Sequence, residues 1–353
     1  MNKPFFCSIA AQRASEDLVG TAGHYQTYVL IECPLPWPST AFDSEHISPE
    51  LRQYIKALSA SKTVRFLCIS RDTQAQKGTT LIVYDRLDRI APSVTANNLT
   101  QFSSGYRGCE FQLDNLNDVI PCLEAYWQNK ALPKANQQLL GQPIAQQDIL
   151  VCTHGMKDKC CAKLGKPIFR GAERMAEKGT LQAVRIWRAS HIGGHRFAPT
   201  AIVLPDGRYY GRLSLSALQA LVTHQGAIEQ LRPVYRGWSL LPKPLQLLEK
   251  ELLLTHGWSW FTRGVSYQQV CSDTEEGAIA VELSALEPNG KITYYRADIC
   301  QDEQQTYLGK KSCNDSSPSQ ILKYKIVNFS IEQNSLIKPS LEPATTNKTA
   351  APL

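Results

Sequence analysis

Residues 149–187 read ILVCTHGMKDKCCAKLGKPIFRGAERMAEKGTLQAVRIW, and this stretch decides the fold. The apolar run Ile149–Cys152 is too short for a helix and suits a buried strand. Ala162–Lys178 carries a helical pattern, and Leu181–Trp187 returns to a strand pattern. A strand, a helix and a second strand in such quick succession form a βαβ unit. Further on, Thr200–Arg212 reads as a hairpin, because Pro205-Asp206-Gly207 supplies the positive φ values of a tight turn. A helix over Ser214–Thr223 closes the unit.

Upstream the same order occurs once already. Strands are expected at Thr27–Ile31, Val64–Ile69 and Thr80–Tyr84, with helices at Pro49–Leu58 and Leu113–Gln128. Cys33 follows the first strand of this half much as Cys152 ends the first strand of the other. The expected fold class is therefore α/β, with duplicated units and mixed sheets. Past Pro242 the pattern changes to a helix at Leu245–His256 and strands at Val265–Cys271, Ala278–Leu283, Ile292–Ala297 and Ile321–Ile331, with Pro288-Asn289-Gly290 as a hairpin turn. The expected division is 1–135 for a unit without ligands, 136–240 for the unit with the site, 241–332 for a β-rich C-terminal appendage, and 333–353 for a disordered tail poor in apolar side chains.

Composition narrows the function. Hydrophobic residues make up 43% of the 353 and charged residues 20%, an ordinary globular balance. The net charge of +6 is spread out rather than gathered in one run, so nucleic acid is not expected, whereas docking to an acidic redox partner protein is. No apolar stretch is long enough to cross a membrane. Arg13, Glu16 and Asp17 interrupt the N-terminal apolar patch before a signal sequence forms, and the eleven irregularly spaced cysteines fit a reducing compartment, so a cytoplasmic location is expected.

Two segments carry the chemistry. VCTHGMKDKCC (Val151–Cys161) and SHIGGHRF (Ser190–Phe197) hold three of the eleven cysteines and three of the seven histidines at the ends of expected strands. Gly193 and Gly194 between His191 and His195 disfavour a helix and let a loop backbone approach a bound group closely. Taken singly, Cys152 reads as a small buried hydrophobe and His154 as a hydrogen-bonded histidine; their joint occurrence indicates a metal or cluster site.

CTHGMKDKCC and WRASHIGGHRFAPTAIVLPDGRYYGRL closely resemble the sucrase/ferredoxin-like family, and the resemblance extends from about Cys7 to about Thr223. It implies thioredoxin-like units and a 2Fe-2S cluster held by Cys152, Cys161, His191 and His195, with His154, Cys160, Gly193 and Gly194 beside the ligands. Cys160 and Lys157 depart from the family pattern, and the choice of Cys161 over Cys160 rests on the family spacing alone. With two neutral imidazoles in place of two thiolates, such a cluster is less negative and easier to reduce, and a ligated ring can couple electron uptake to proton uptake. The function implied is electron transfer or redox chemistry, as a carrier rather than a stand-alone enzyme.

Other functions compete on the same residues. A structural zinc site uses two cysteines and two histidines equally well. A thiol-disulfide protein working through Cys152 and Cys161 would be expected to show C-x-x-C at a helix start. A Rieske centre would need a second Cys-x-x-His downstream, and no cysteine after Cys161 is followed in that way. Glycoside hydrolysis needs two facing carboxylates; near the site there are only Asp158 and Asp206, and Asp206 belongs to the turn.

Overall fold

The computed structural model describes residues 5–71, 78–90, 101–132, 140–270 and 278–334. In the first unit β1 (Thr27–Glu32) is followed by α2 (Pro49–Ser59), β2 (Val64–Ser70), β3 (Thr79–Ile90), β4 (Gln101–Leu113) and α3 (Val119–Ala131); a short helix α1 (Cys7–Arg13) precedes them. The second unit has β6 (Gln147–Cys152), α4 (Lys166–Glu177), β7 (Val184–Ala189), β8 (Ala201–Leu204), β9 (Arg208–Tyr210) and α5 (Leu215–Thr223), joined to the first through the two-residue β5 (Gln142–Pro143).

Each unit has one thioredoxin-like strand order. The first strand runs parallel to the second and antiparallel to the third, which pairs with the fourth: β2-β1-β3-β4 and β7-β6-β8-β9. The registers also correspond, with Leu30 opposite Leu67 and Ile82, and Leu150 opposite Trp187 and Ile202. In this correspondence Glu32 matches Cys152, so Cys33 sits one position beyond the strand end that Cys152 occupies. β2 and β7 pair antiparallel through Ile69–Ala189 and Ser70–Arg188, fusing the two units into one sheet.

The alternation along β1 shows why this strand lies at the centre. Val29 and Ile31 pack under α2 and α3 with Leu51, Ile55, Val119 and Leu123, while Tyr28 and Leu30 join the larger core on the other face. That larger core takes in the second unit as well, and the Tyr28 and Tyr209 hydroxyls meet at 3.0 Å.

The C-terminal region is β-rich, as expected. After β10 (Tyr235–Trp238) and α6 (Lys243–His256), strands β11 (Gly264–Val270), β12 (Ile279–Leu286), β13 (Ile292–Gln301) and β16 (Tyr324–Asn334) extend the same sheet from β4, and β14 (Tyr307–Gly309) with β15 (Ser319–Ile321) forms a separate pair. The Asp-Gly and Asn-Gly turns lie where expected, with Gly207 at φ +82 and Gly290 at φ +81. From residue 335 on, the expected tail lies outside the described residues; Gln333 and Asn334 are still paired in β16.

Two helices begin several residues later than expected. Gln101–Leu113, with glycines at 105 and 108, forms β4, and the helix expected from Leu113 begins at Val119. Asn115 sets that start: its side chain accepts the Asn117 N–H, while Asp118 accepts the Asn115 N–H in return. The helix expected from Ala162 also begins later, since Cys161–Gly165 makes a wider π turn before α4.

Candidate metal centre

Because β6 and β7 are parallel and Cys152 pairs with Ala189, both strands deliver their C-terminal ends to one edge of the sheet. The loop after β6 leads to Cys161, and the loop after β7 carries His191 and His195. Ligand atoms of Cys152, Cys161 and His191 all lie within 4.8 Å of one another, and Cys161 Sγ is 3.8 Å from His191 Nδ1. Cys152 and Cys161 are buried, and His191 is half-buried.

His195 stands beside this trio rather than inside it. Its ring centroid is 5.0 Å from that of His191. Its Nε2 is 2.8 Å from the Lys311 carbonyl oxygen, so this nitrogen carries the proton and donates. Nδ1 is then the free acceptor: it is buried without a hydrogen-bond partner among the described residues, 3.6 Å from Asp158 Oδ2. Burial lowers the pKa of His195, against the pull of Asp158. A neutral ring with an unsatisfied lone pair is the state in which imidazole binds metal.

Each loop is held by bonds from outside it. His154 Nδ1 accepts the His191 N–H at 3.2 Å, and its Nε2 lies 2.7 Å from the Pro38 carbonyl oxygen; both ring nitrogens are thereby used, and His154 positions His191. Arg65, from β2, donates to the His191 carbonyl at 2.6 Å. Gly193 and Gly194 take φ of +90 and +72, the left-handed region open to glycine. A β-carbon on Gly194 would stand 2.5 Å from the guanidinium of Arg236. That buried arginine donates to the Gly193 carbonyl at 3.1 Å and to the Thr21 carbonyl at 2.7 Å, tying the histidine loop to the N-terminal segment.

The two thiols behave as a pair. A hydrogen bond from Cys161, with His191 close by, holds the Cys152 pKa well below the ordinary thiol value against the effect of burial. Cys161 is shifted upward, first by that same hydrogen bond and then by burial, and keeps the proton. A cation between them removes the repulsion that prevents both from ionising.

Cys160 faces elsewhere. Its sulfur is 3.6 Å from that of Cys7 and 3.3 Å from that of Cys313, in a second, largely buried cluster that includes Asp158. The residues that sequence reasoning missed are Arg65, Arg236, Gly165, Cys7 and Cys313. Arg65, Cys7 and Cys313 meet their partners across more than 100 positions of chain and Arg236 reaches Gly193 across 43, while Gly165 acts through backbone proximity to Cys152 and its local sequence Lys-Leu-Gly-Lys gives no sign of that role.

Fold and site together define a duplicated α/β protein with a buried Cys/His group able to hold a metal. The family model described as sucrase/ferredoxin-like matches residues 18–237, and the chain belongs to that family. It is also similar to "Altered inheritance of mitochondria protein 32" of Meyerozyma guilliermondii, at 24% identity over 163 residues, 44% of this chain and 56% of that protein. The chain thus spans about half the length of the curated relative it matches. No solved structure matches it. Among the described residues no helix is long and apolar enough to cross a membrane.

Proposed function

We propose that this protein holds a 2Fe-2S cluster through Cys152, Cys161, His191 and His195 and exchanges single electrons with a partner protein. The observation that carries the reading is the meeting of Cys152, Cys161 and His191 ligand atoms within 4.8 Å at the shared edge of two parallel strands. His195 brings the fourth donor through its unpartnered Nδ1. Ligands of two different irons need not fall within one such sphere, so the place of His195 beside the trio is compatible with a dinuclear group. When bound, the cluster supplies a one-electron acceptor.

The chain's own residues do the rest. Arg65, His154 and Arg236 fix the histidine loop, so that ligand geometry changes little between redox states. The half-buried histidines form the outward side of the site. On the loop between Cys152 and Cys161, Met156, 67% exposed, lies among the exposed Lys157 and Lys159, an apolar and basic tip that suits an acidic redox partner. The ten described cysteines are free thiols, which fits a reducing compartment, cytosol or mitochondrial interior.

Zinc bound by the same four residues is the second reading, since the donor set is equally suited to it. Purification without oxygen, followed by absorption and EPR spectra and by iron, sulfide and zinc analysis, tests both. The cluster reading expects a coloured protein with iron and sulfide in equal amounts and an EPR signal on reduction. Colourless, iron-free protein with zinc on two sulfurs and two nitrogens overturns it.

A further inference from the structure

The proposed cluster leaves a second group of thiols unused. Cys7 opens α1, Cys160 precedes the π turn, and Cys313 lies between β14 and β15, yet their sulfurs converge at 3.6 Å (Cys7–Cys160), 3.3 Å (Cys160–Cys313) and 3.5 Å (Cys7–Cys313). Asp158 completes the set, with ligand atoms of all four residues within 4.8 Å of one another. From this geometry we infer a second metal site, in which Cys7, Cys160, Cys313 and Asp158 bind a divalent cation of the zinc class. This goes beyond the cluster reading and does not depend on it.

The spacing fits such an ion. Zinc bound to sulfur at about 2.3 Å in tetrahedral geometry separates its sulfurs by about 3.8 Å, close to the three observed distances. A disulfide needs about 2.05 Å and joins two sulfurs only, which would leave the third thiol and the carboxylate without a role. Two of the sulfurs already accept hydrogen bonds: the Cys7 N–H donates to Cys313 Sγ at 3.3 Å, and the Ser8 hydroxyl donates to Cys160 Sγ at 3.2 Å. Asp158 is aimed by its neighbours. The Cys160 N–H donates to Oδ1 at 2.8 Å, while the Cys313 N–H and the Ser312 hydroxyl donate to Oδ2 at 3.1 and 3.3 Å, so Oδ1 is the oxygen that retains a lone pair for a cation.

Cys7, Cys160 and Asp158 are buried while Cys313 is half-buried, which gives the ion an entry path. Binding releases the thiol protons to solvent. It also has a structural consequence. Cys7 and Cys313 are 306 positions apart, and an ion joining them to Cys160 fastens the N-terminal helix and the C-terminal appendage to the loop that carries Cys161. The site is therefore a clamp beside the candidate cluster, and closing loops of this length is where a cross-link gains most.

The experiment uses the full chain, produced with zinc and iron supplied and purified without oxygen. Iron and zinc per chain are measured for the native protein, Cys7→Ser and Cys313→Ser, together with the zinc-edge X-ray absorption of the native protein. The expected result is about one zinc per chain on three sulfurs and one oxygen. That zinc is lost in both variants while iron content stays unchanged. The native absorption spectrum needs no variant and stands even where a variant misfolds. Absence of zinc from the native protein, zinc on two sulfurs and two nitrogens, retention of zinc in either variant, or a disulfide between any two of the three cysteines in zinc-supplied protein overturns the inference. Iron analysis reports separately on the cluster, so failure of one site is distinguishable from failure of the other.

Discussion

Gly165 lies directly against the end of the ligand strand: a β-carbon at position 165 would stand 2.0 Å from the carbonyl oxygen of Cys152 and 3.1 Å from its carbonyl carbon. Both partners are backbone, so neither can swing aside. The contact sets the distance between the strand that ends in Cys152 and the turn that begins with Cys161.

Gly165→Ala is therefore expected to separate the two thiols. The helix must shift outward, at a cost of about 1–3 kcal/mol or more for overpacking a buried site. Metal or cluster content should fall further than the stability loss alone accounts for, because the pair of sulfurs is split. Urea unfolding together with iron and zinc analysis of the variant checks this. Wild-type metal content in Gly165→Ala would show that the contact does not control the site.

The adjacent cysteines should separate cleanly. Cys161 meets Cys152 and His191, whereas Cys160 meets Cys7 and Cys313. Cys161→Ser is expected to abolish cluster assembly and Cys160→Ser to leave most of it, read from the visible absorption of each variant at equal protein concentration. The reverse order would exchange their roles.

How far the sequence carried can be judged from these positions. Strand, helix and hairpin turns around 149–212 were legible because short apolar runs, a helical period and Asp-Gly each have a local physical signature. The two segments that hold Cys152, Cys161 and His191 were legible because strand-end loops rich in soft ligands are uncommon, whereas only the family spacing singled out Cys161 over Cys160. β4 was not, since its alternation is broken by Gly105 and Gly108, the latter under the Tyr84 ring, where a β-carbon would meet Cε1 at 2.4 Å. Nor were Arg65 and Arg236: nothing near them in the chain distinguishes an arginine that clamps a distant loop from one that is solvated. Cys7 and Cys313 looked like scattered thiols until the fold brought them to Cys160.

Metal capture should depend on pH in one direction. With Cys152 favoured as thiolate and Cys161 holding its proton, binding must expel that proton from Cys161. Protons then compete with the ion, so apparent affinity weakens as pH falls and strengthens as it rises, by about tenfold per pH unit for one proton released. Titration of Cys160→Ser protein with zinc, which isolates this site from the three-cysteine cluster, measures the slope. A flat profile would show that both thiols are ionised before the ion arrives.

The last prediction separates the histidines from the cysteines as ligands. His195 keeps its outer N–H on the Lys311 carbonyl and leaves Nδ1 unpartnered, and His191 has Nδ1 3.8 Å from Cys161 Sγ, so each ring offers one nitrogen to a shared group. If both bind iron as neutral imidazoles, His191→Cys or His195→Cys should still assemble a cluster, because thiolate is as competent a ligand for iron. Each substitution adds a negative charge that the reduced state must tolerate, so the potential should fall in either variant. In the native protein the potential should also fall with rising pH once a ligated ring can lose its outer proton, since reduction then takes up a proton that becomes scarcer. Voltammetry across pH on the native and both variant proteins measures the two effects together. Unchanged potentials in the variants with a flat native profile would remove both histidines from the iron, and a cluster held only by cysteines would have to be sought elsewhere in the chain.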